Sequence, residues 1–152
     1  STAHLAELDG REIVELMQCS GERAVRFSSR PILRASAHAT ATGKVLLASS
    51  TQETLDKILG RQRKLKQYTP YTIVDPPALR LELKEVAAQG WAFSNQESTV
   101  GCCCLAVPLR DRFGHVVASI SISNTREIFT SSSLAKYLGR LFLTAESISR
   151  DF

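Results

Sequence analysis

Three serines, Ser119, Ser121 and Ser123, recur at every second residue of the run HVVASISIS. On a strand this spacing puts the three hydroxyls on one face and Ala118, Ile120 and Ile122 on the other. The preceding run, CCCLAVPLR, carries Cys102 and Cys104 at the same spacing. Hydroxyls opposite thiols suggest a semi-polar pocket that could orient a ligand's carboxylate or hydroxyl. Each hydrogen bond to a charged group is then worth about 1.5–3 kcal/mol. An ordinary solvent-facing side is the plain alternative for the serines.

A second stretch, SAHATATGKVLLASS, begins at Ser36. Six of the seven residues from Ala37 to Gly43 are small, and only His38 interrupts them. Val45, Leu46 and Leu47 then begin an apolar run. A helix start carries backbone N–H groups without internal partners and a partial positive charge, so it binds anions. Small side chains would leave the N–H groups of Ala41 and Thr42 open to a carboxylate. Tight packing of the helix on a sheet would select the same residues. The stretch alone leaves both open.

Other chemistry finds less support. Nucleophilic catalysis needs a cysteine paired with a histidine and an orienting group. Of His4, His38 and His115, only His38 falls near a plausible site, and no G-x-S-x-G elbow exists. The four cysteines, Cys19 and Cys102 to Cys104, include no C-x-x-C pair, which argues against zinc. They read as free thiols of a reducing cytoplasm. Glu97, in NQESTVG, has no second carboxylate at useful spacing and is expected to cap the chain or form a salt bridge.

The net charge of +4 is mild, and the densest basic run, GRQRKLKQY with Arg61, Arg63, Lys64 and Lys66, reads as a solvated loop. A nucleic-acid surface would want interleaved aromatics and more basic residues on one face. No apolar run approaches the ~20 residues that cross a bilayer. The start, STAHLAELDG, lacks the features of a signal peptide and an initiator Met, so a fragment or processed chain is expected.

Around these residues the elements can be placed. Runs 3–8 and 11–18 flank Asp9-Gly10, a strong hairpin signal. ERAVRFS reads as a third strand, which Pro31 ends. A helix follows from about Thr40 to Ala48. Ser50 and Glu53 have capping-box spacing, opening a helix with Leu55, Ile58 and Leu59 inward and Gly60 as its stop. Asp75 can cap the next helix, with Pro76 or Pro77 in its first turn. Leu79, Leu83, Val86 and Ala87 form that helix's apolar side, and Gly90 ends it. WAFS starts a second strand block, with Trp91 and Phe93 filling core. Asp111 to Gly114 make the turn between the cysteine and serine runs. A closing helix from about Ser133 buries Leu134, Leu138, Leu141, Phe142, Ala145 and Ile148. Strands, then helices, then strands argue an α+β domain on a largely antiparallel sheet. The alternating units and Gly-rich first turn of a Rossmann fold are missing.

LDGREIVELMQ, HATATGKVLLA, YTIVDPPALRLELKEVAAQGWAFSNQE, GCCCLAVPLRDRFGHVVASISIS and the closing helix, in this order, cover nearly the whole chain. Together they resemble the effector-binding domain of the isocitrate lyase regulator (IclR) family of bacterial transcription factors. The resemblance implies one domain over residues 1–152, a GAF-like α+β fold whose curved, mainly antiparallel sheet is flanked by α-helices. It implies a cytoplasmic ligand sensor, not an enzyme, with no cofactor, no metal and no membrane partner. It further implies a small organic acid as effector and assembly into homodimers or tetramers. DNA would be read only by a separate N-terminal winged helix-turn-helix, which is expected to be absent from this chain.

Carried over by position, the backbone of Ala41 and Thr42 faces the effector, as do the side chains of Ser94, Cys104, Ser121 and Ser123. Phe27 and Ala35 would lie near the apolar wall. Relatives often carry an Asp where this chain has Ser94, and losing that acid changes which ligand hydroxyls or carbonyls can be met. Two rival readings stand beside this one. The first is a cysteine-dependent enzyme using Cys104 with His38. The second is a purely structural dimerisation module.

Overall fold

The computed structural model describes residues 1–22, 34–60 and 63–151. The expected hairpin forms, but its two loop residues are Gly10 and Arg11 rather than Asp9 and Gly10, because Asp9 still pairs with Glu12. Strand β1 (Thr2–Asp9) pairs antiparallel with β2 (Glu12–Ser20), and Gly10 turns the chain at φ 60°. The proposed strand in ERAVRFS lies outside the described residues, apart from Glu22. Strand β3 is the short Arg34–Ser36. With β4 (Ala92–Asn95), β5 (Cys102–Arg110) and β6 (Val116–Thr125) it completes a six-stranded sheet in the order β3-β2-β1-β6-β5-β4. Every neighbouring pair is antiparallel.

The helices follow their local signals. A 3₁₀ turn, Ala37–Ala39, leads into α1 (Ala41–Ala48), where the Thr40 hydroxyl accepts the Gly43 N–H at 3.1 Å. Helix α2 (Gln52–Leu59) begins one residue later than the S-x-x-E spacing indicates. Thr51 is its cap and accepts from Thr54 N–H, while Ser50 donates back to the Leu46 carbonyl. Helix α3 (Pro76–Gln89) is capped by Asp75, carries its prolines in the first turn and stops at Gly90, whose φ is 81°. Helix α4 (Ser131–Ser149) starts at a reciprocal Thr130–Ser133 cap. Among the described residues no helix is long and apolar enough to cross a membrane.

Side-chain alternation then divides the molecule. On β5, Cys103, Leu105, Val107 and Leu109 join Ala118 and Ile120 of β6 and pack against Leu141 and Ala145 of α4. Trp91 and Phe93 pack on the same cluster. The opposite face carries α1, and with it α2 and α3. Of the proposed inward stripe of α4, Phe142 is the exception: it is 40% exposed. Residue 142 follows Leu141 by a single step, and a 100° turn carries it off the buried line.

Gly43 shows what the small residues do. A Cβ there would lie 2.2 Å from the Ala37 carbonyl oxygen and 2.3 Å from its Cα. The 3₁₀ turn is folded directly onto the first turn of α1, so close packing is part of the reason for this composition. Gly43→Ala should therefore destabilise the domain by about 3 kcal/mol or more, overpacking against backbone that cannot swing away. Urea denaturation checks this, and a cost below about 1 kcal/mol, as for ordinary overpacking at its mildest, would contradict the contact.

Candidate functional site

The strand registers decide which proposed residues meet. Ser94 of β4 lies opposite Cys104 of β5, which lies opposite Ser123 of β6, which lies opposite Thr2 of β1. The adjacent row is Ala92, Ala106, Ser121 and His4. Both rows lie on the sheet face that α1 covers. The serine ladder is therefore interior: Ser119, Ser121 and Ser123 are all buried.

Helix α1 reaches into these rows. Thr42 Oγ1 donates to Ser121 Oγ at 2.9 Å, and Ser94 Oγ donates to the Ala39 carbonyl at 3.3 Å. Thr40 engages the N–H groups of Gly43 and, through its carbonyl, Lys44. The N–H groups of Ala41 and Thr42, ahead of them, belong to the first turn and have no carbonyl within the helix. Ser123 Oγ lies 2.9 Å from His4 Nε2, and His4 Nδ1 lies 2.8 Å from Glu15. A carboxylate only accepts, so Nδ1 donates to it. Ser119 turns away from this set and donates to the Val107 carbonyl.

The thiols behave differently from one another. Cys102 and Cys104 Sγ are 3.9 Å apart. Their contact lowers the pKa of Cys102, whereas the same contact, with burial, holds Cys104 well above the usual thiol range. Cys104 thus faces the site as a neutral thiol. His38 Nε2 bonds to the Lys66 carbonyl at 2.9 Å and must carry the proton there. Burial lowers the His38 pKa. The Cys104–His38 couple of the enzymatic reading is not formed.

Of the two proposed wall residues, only Ala35 is among the described residues. Phe27 lies outside the described residues. Ala35, on β3, pairs with Ile13 and packs with the apolar cluster of Ala6, Leu46 and Leu47, three strands away from β6. Among the described residues no group of three or more His, Cys, Asp and Glu could hold a metal ion.

Beside the hydroxyl rows sits a charged cluster that contains the salt bridge expected of Glu97 and centres on Lys44, a residue given no role from the sequence. Lys44 is fully buried. Its Nζ bonds Glu82 of α3 and, at 2.6 Å, Glu97 after β4. Glu97 is 6% exposed, and its Oε2 has no partner among the described residues. Burial holds its carboxyl above the ordinary carboxylate range, while the Lys44 charge and hydrogen bond pull it back. The available signal was one lysine inside the otherwise uncharged helix ATGKVLLA.

Comparison with known proteins gives a consistent picture. Residues 1–150 match the family described as the bacterial transcriptional regulator IclR C-terminal domain. The chain is 37% identical over 148 residues to the transcriptional regulator KdgR of Dickeya chrysanthemi, covering 97% of this chain and 48% of that protein. It spans about half the length of the curated relatives it matches. The structure of the Thermotoga maritima IclR superposes with a TM-score of 0.89 at 35% identity, over 99% of this chain and 60% of that one. A PobR inducer-binding domain from Acinetobacter, solved as a double mutant with 3-hydroxybenzoic acid, gives 0.84 at 27% identity, over 97% of this chain and 87% of that one.

Lys44→Met should destabilise the fold by about 3 kcal/mol, since it leaves the Glu97 carboxylate buried without its cation. The pH dependence follows from the raised carboxyl. Glu97 keeps its proton to higher pH when folded than when unfolded, where its pKa is about 4.3. The stability from that proton is fully present below the unfolded pKa and is lost as pH rises through the folded value. Glu97→Gln should flatten that fall in a series of urea midpoints above pH 4. An unchanged slope would assign it to other groups.

Proposed function

The chain belongs to the IclR family of bacterial transcriptional regulators, and on that premise we propose that it binds a small organic acid and relays its presence to operator DNA. The observation carrying this reading is the set gathered under the start of α1: Thr42, Ser94, Ser121 and Ser123, all buried, with the half-buried Cys104. A carboxylate docks on the N–H groups of Ala41 and Thr42, favoured by the helix terminus. The hydroxyls of Ser121 and Ser123 complete its hydrogen bonds, exchanging the internal partners Thr42 and His4 for the ligand. The neutral Cys104 thiol forms wall without repelling the anion. Micromolar affinity needs about −8 kcal/mol. Several charge-assisted hydrogen bonds with modest apolar burial supply it. The hydroxybenzoic acid complex of the PobR domain supports the same chemical class of ligand.

Relay requires two arrangements that the ligand binds unequally. The reading places them in how protomers pack as dimers or tetramers, with DNA held by a separate N-terminal segment of the full-length protein in a reducing cytoplasm. Thermal unfolding against a panel of small carboxylic acids, with their amides as controls, tests the proposal. At ~100 times its dissociation constant an effector adds about 2.7 kcal/mol. The expected result is stabilisation by at least one acid, none by its amide, and a much smaller shift in Ser123→Ala relative to that variant's own ligand-free midpoint. No shift with any acid, or an equal shift with the amide, overturns it.

A further inference from the structure

We propose a second ligand site, distinct from the effector site, in the cleft between the β1–β2 turn, the 3₁₀ turn and the end of α2: it takes a ring-sized organic monoanion. The cleft encloses about 140 Å³. Its floor is apolar, built by Leu47, Leu59 and Leu65, and its rim carries Arg11 and Lys66. It shares no residue with the set gathered under α1.

Size, lining and charge each narrow the occupant. An apolar cavity of about 150 Å³ accommodates benzene, so the space fits one six-membered ring or a short branched chain. Among the described residues no carboxylate lines the cleft. Among the described residues neither Arg11 nor Lys66 forms an ion pair with an acid. Other groups position these cations. Lys66 Nζ lies 4.9 Å from the centre of the Tyr68 ring, and the Tyr68 hydroxyl bonds Ser36 at 2.5 Å. Arg11 lies against Gly60, where an added Cβ would come within 3.2 Å of its guanidinium. Two cations held beside an apolar floor without acidic partners match an amphipathic anion, its body on the leucines and its carboxylate between guanidinium and ammonium. This also gives a role to part of the basic run that ends at Lys66.

The cleft touches the effector site through one segment. His38 lines it, bonds the Lys66 carbonyl, and stands two residues before the cap of α1. A ligand in the cleft and a ligand beneath α1 would therefore both meet the same 3₁₀ turn, through His38 and beside Ala39.

Benzoate is the probe, with benzamide as its uncharged control, followed by the amide shifts of Leu59 and Leu65 in nuclear magnetic resonance titrations of this chain. Arg11 and Lys66 are exposed, so Arg11→Gln/Lys66→Gln should leave the fold intact. The expected result is saturable binding at Leu59 and Leu65, weakened about tenfold or more in the double variant and with benzamide, and unchanged in Ser123→Ala. Absence of saturable shifts, equal affinity in the double variant, or loss in Ser123→Ala instead would overturn the second site. The outcome is separable from the effector reading, which depends on Ser123 and not on Arg11 or Lys66.

Discussion

A single ammonium group, Lys44 Nζ, ties the helical layer together. It projects from α1 to Glu82 on α3 and Glu97 beyond β4, and no part of it reaches water. Burying an unpaired charge would cost several kcal/mol, so α1 can lie on the sheet only where both acids arrive with it. Glu97 is itself held, because its backbone carbonyl accepts from the hydroxyls of Thr69 and Thr72. Thr69 also donates to the Gln96 carbonyl. The cluster thus fixes the height and rotation of α1, and with it the distance from Thr42 to Ser121. A hydrophobic residue at 44 could fill the volume, but it would not demand one arrangement.

Locally encoded features were legible in the sequence. The Asp9-Gly10 pair marked the hairpin, although Asp9 still pairs with Glu12 and the two loop residues are Gly10 and Arg11, with Gly10 taking the positive φ. Asp75, the two prolines and Gly90 bracket α3 by the hydrogen-bonding needs of its ends. The two-residue period of the serine run fixed which side chains share a face. What that period could not say was whether the face is wet. The answer came from α1, laid over it by contacts between distant parts of the chain. Lys44 and Glu82 escaped for the same reason, and the salt bridge expected of Glu97 could not be given its partner, 53 residues away. The cap of α2 was missed by one position, since Ser50 and Thr51 both offer a hydroxyl and backbone geometry chooses between them. The family resemblance added Ser94 to the serines and Cys104 that pattern had singled out, and the strand registers bring Ser94, Cys104 and Ser123 into a single row.

The small residues that prompted the ligand reading also serve packing. Gly43 has no room for a methyl group against Ala37. The two explanations are compatible, because a helix start pressed closely onto its preceding turn is also held rigidly for whatever it binds. Its hydroxyl neighbours are already bonded to one another, so a bound anion must match or exceed those bonds.

The sheet is one chain layer thick between two separate cores. Cys104 faces α1 while Cys103 and Leu105, its immediate neighbours, face α4. Ser121 stands likewise between Ile120 and Ile122. Such interiors compress little. The layer therefore behaves as a diaphragm: a strand drawn toward one chamber must push or pull the opposite one. Occupancy beneath α1 would register mechanically at α4, on the far side of the molecule, without any conduit of side chains connecting them.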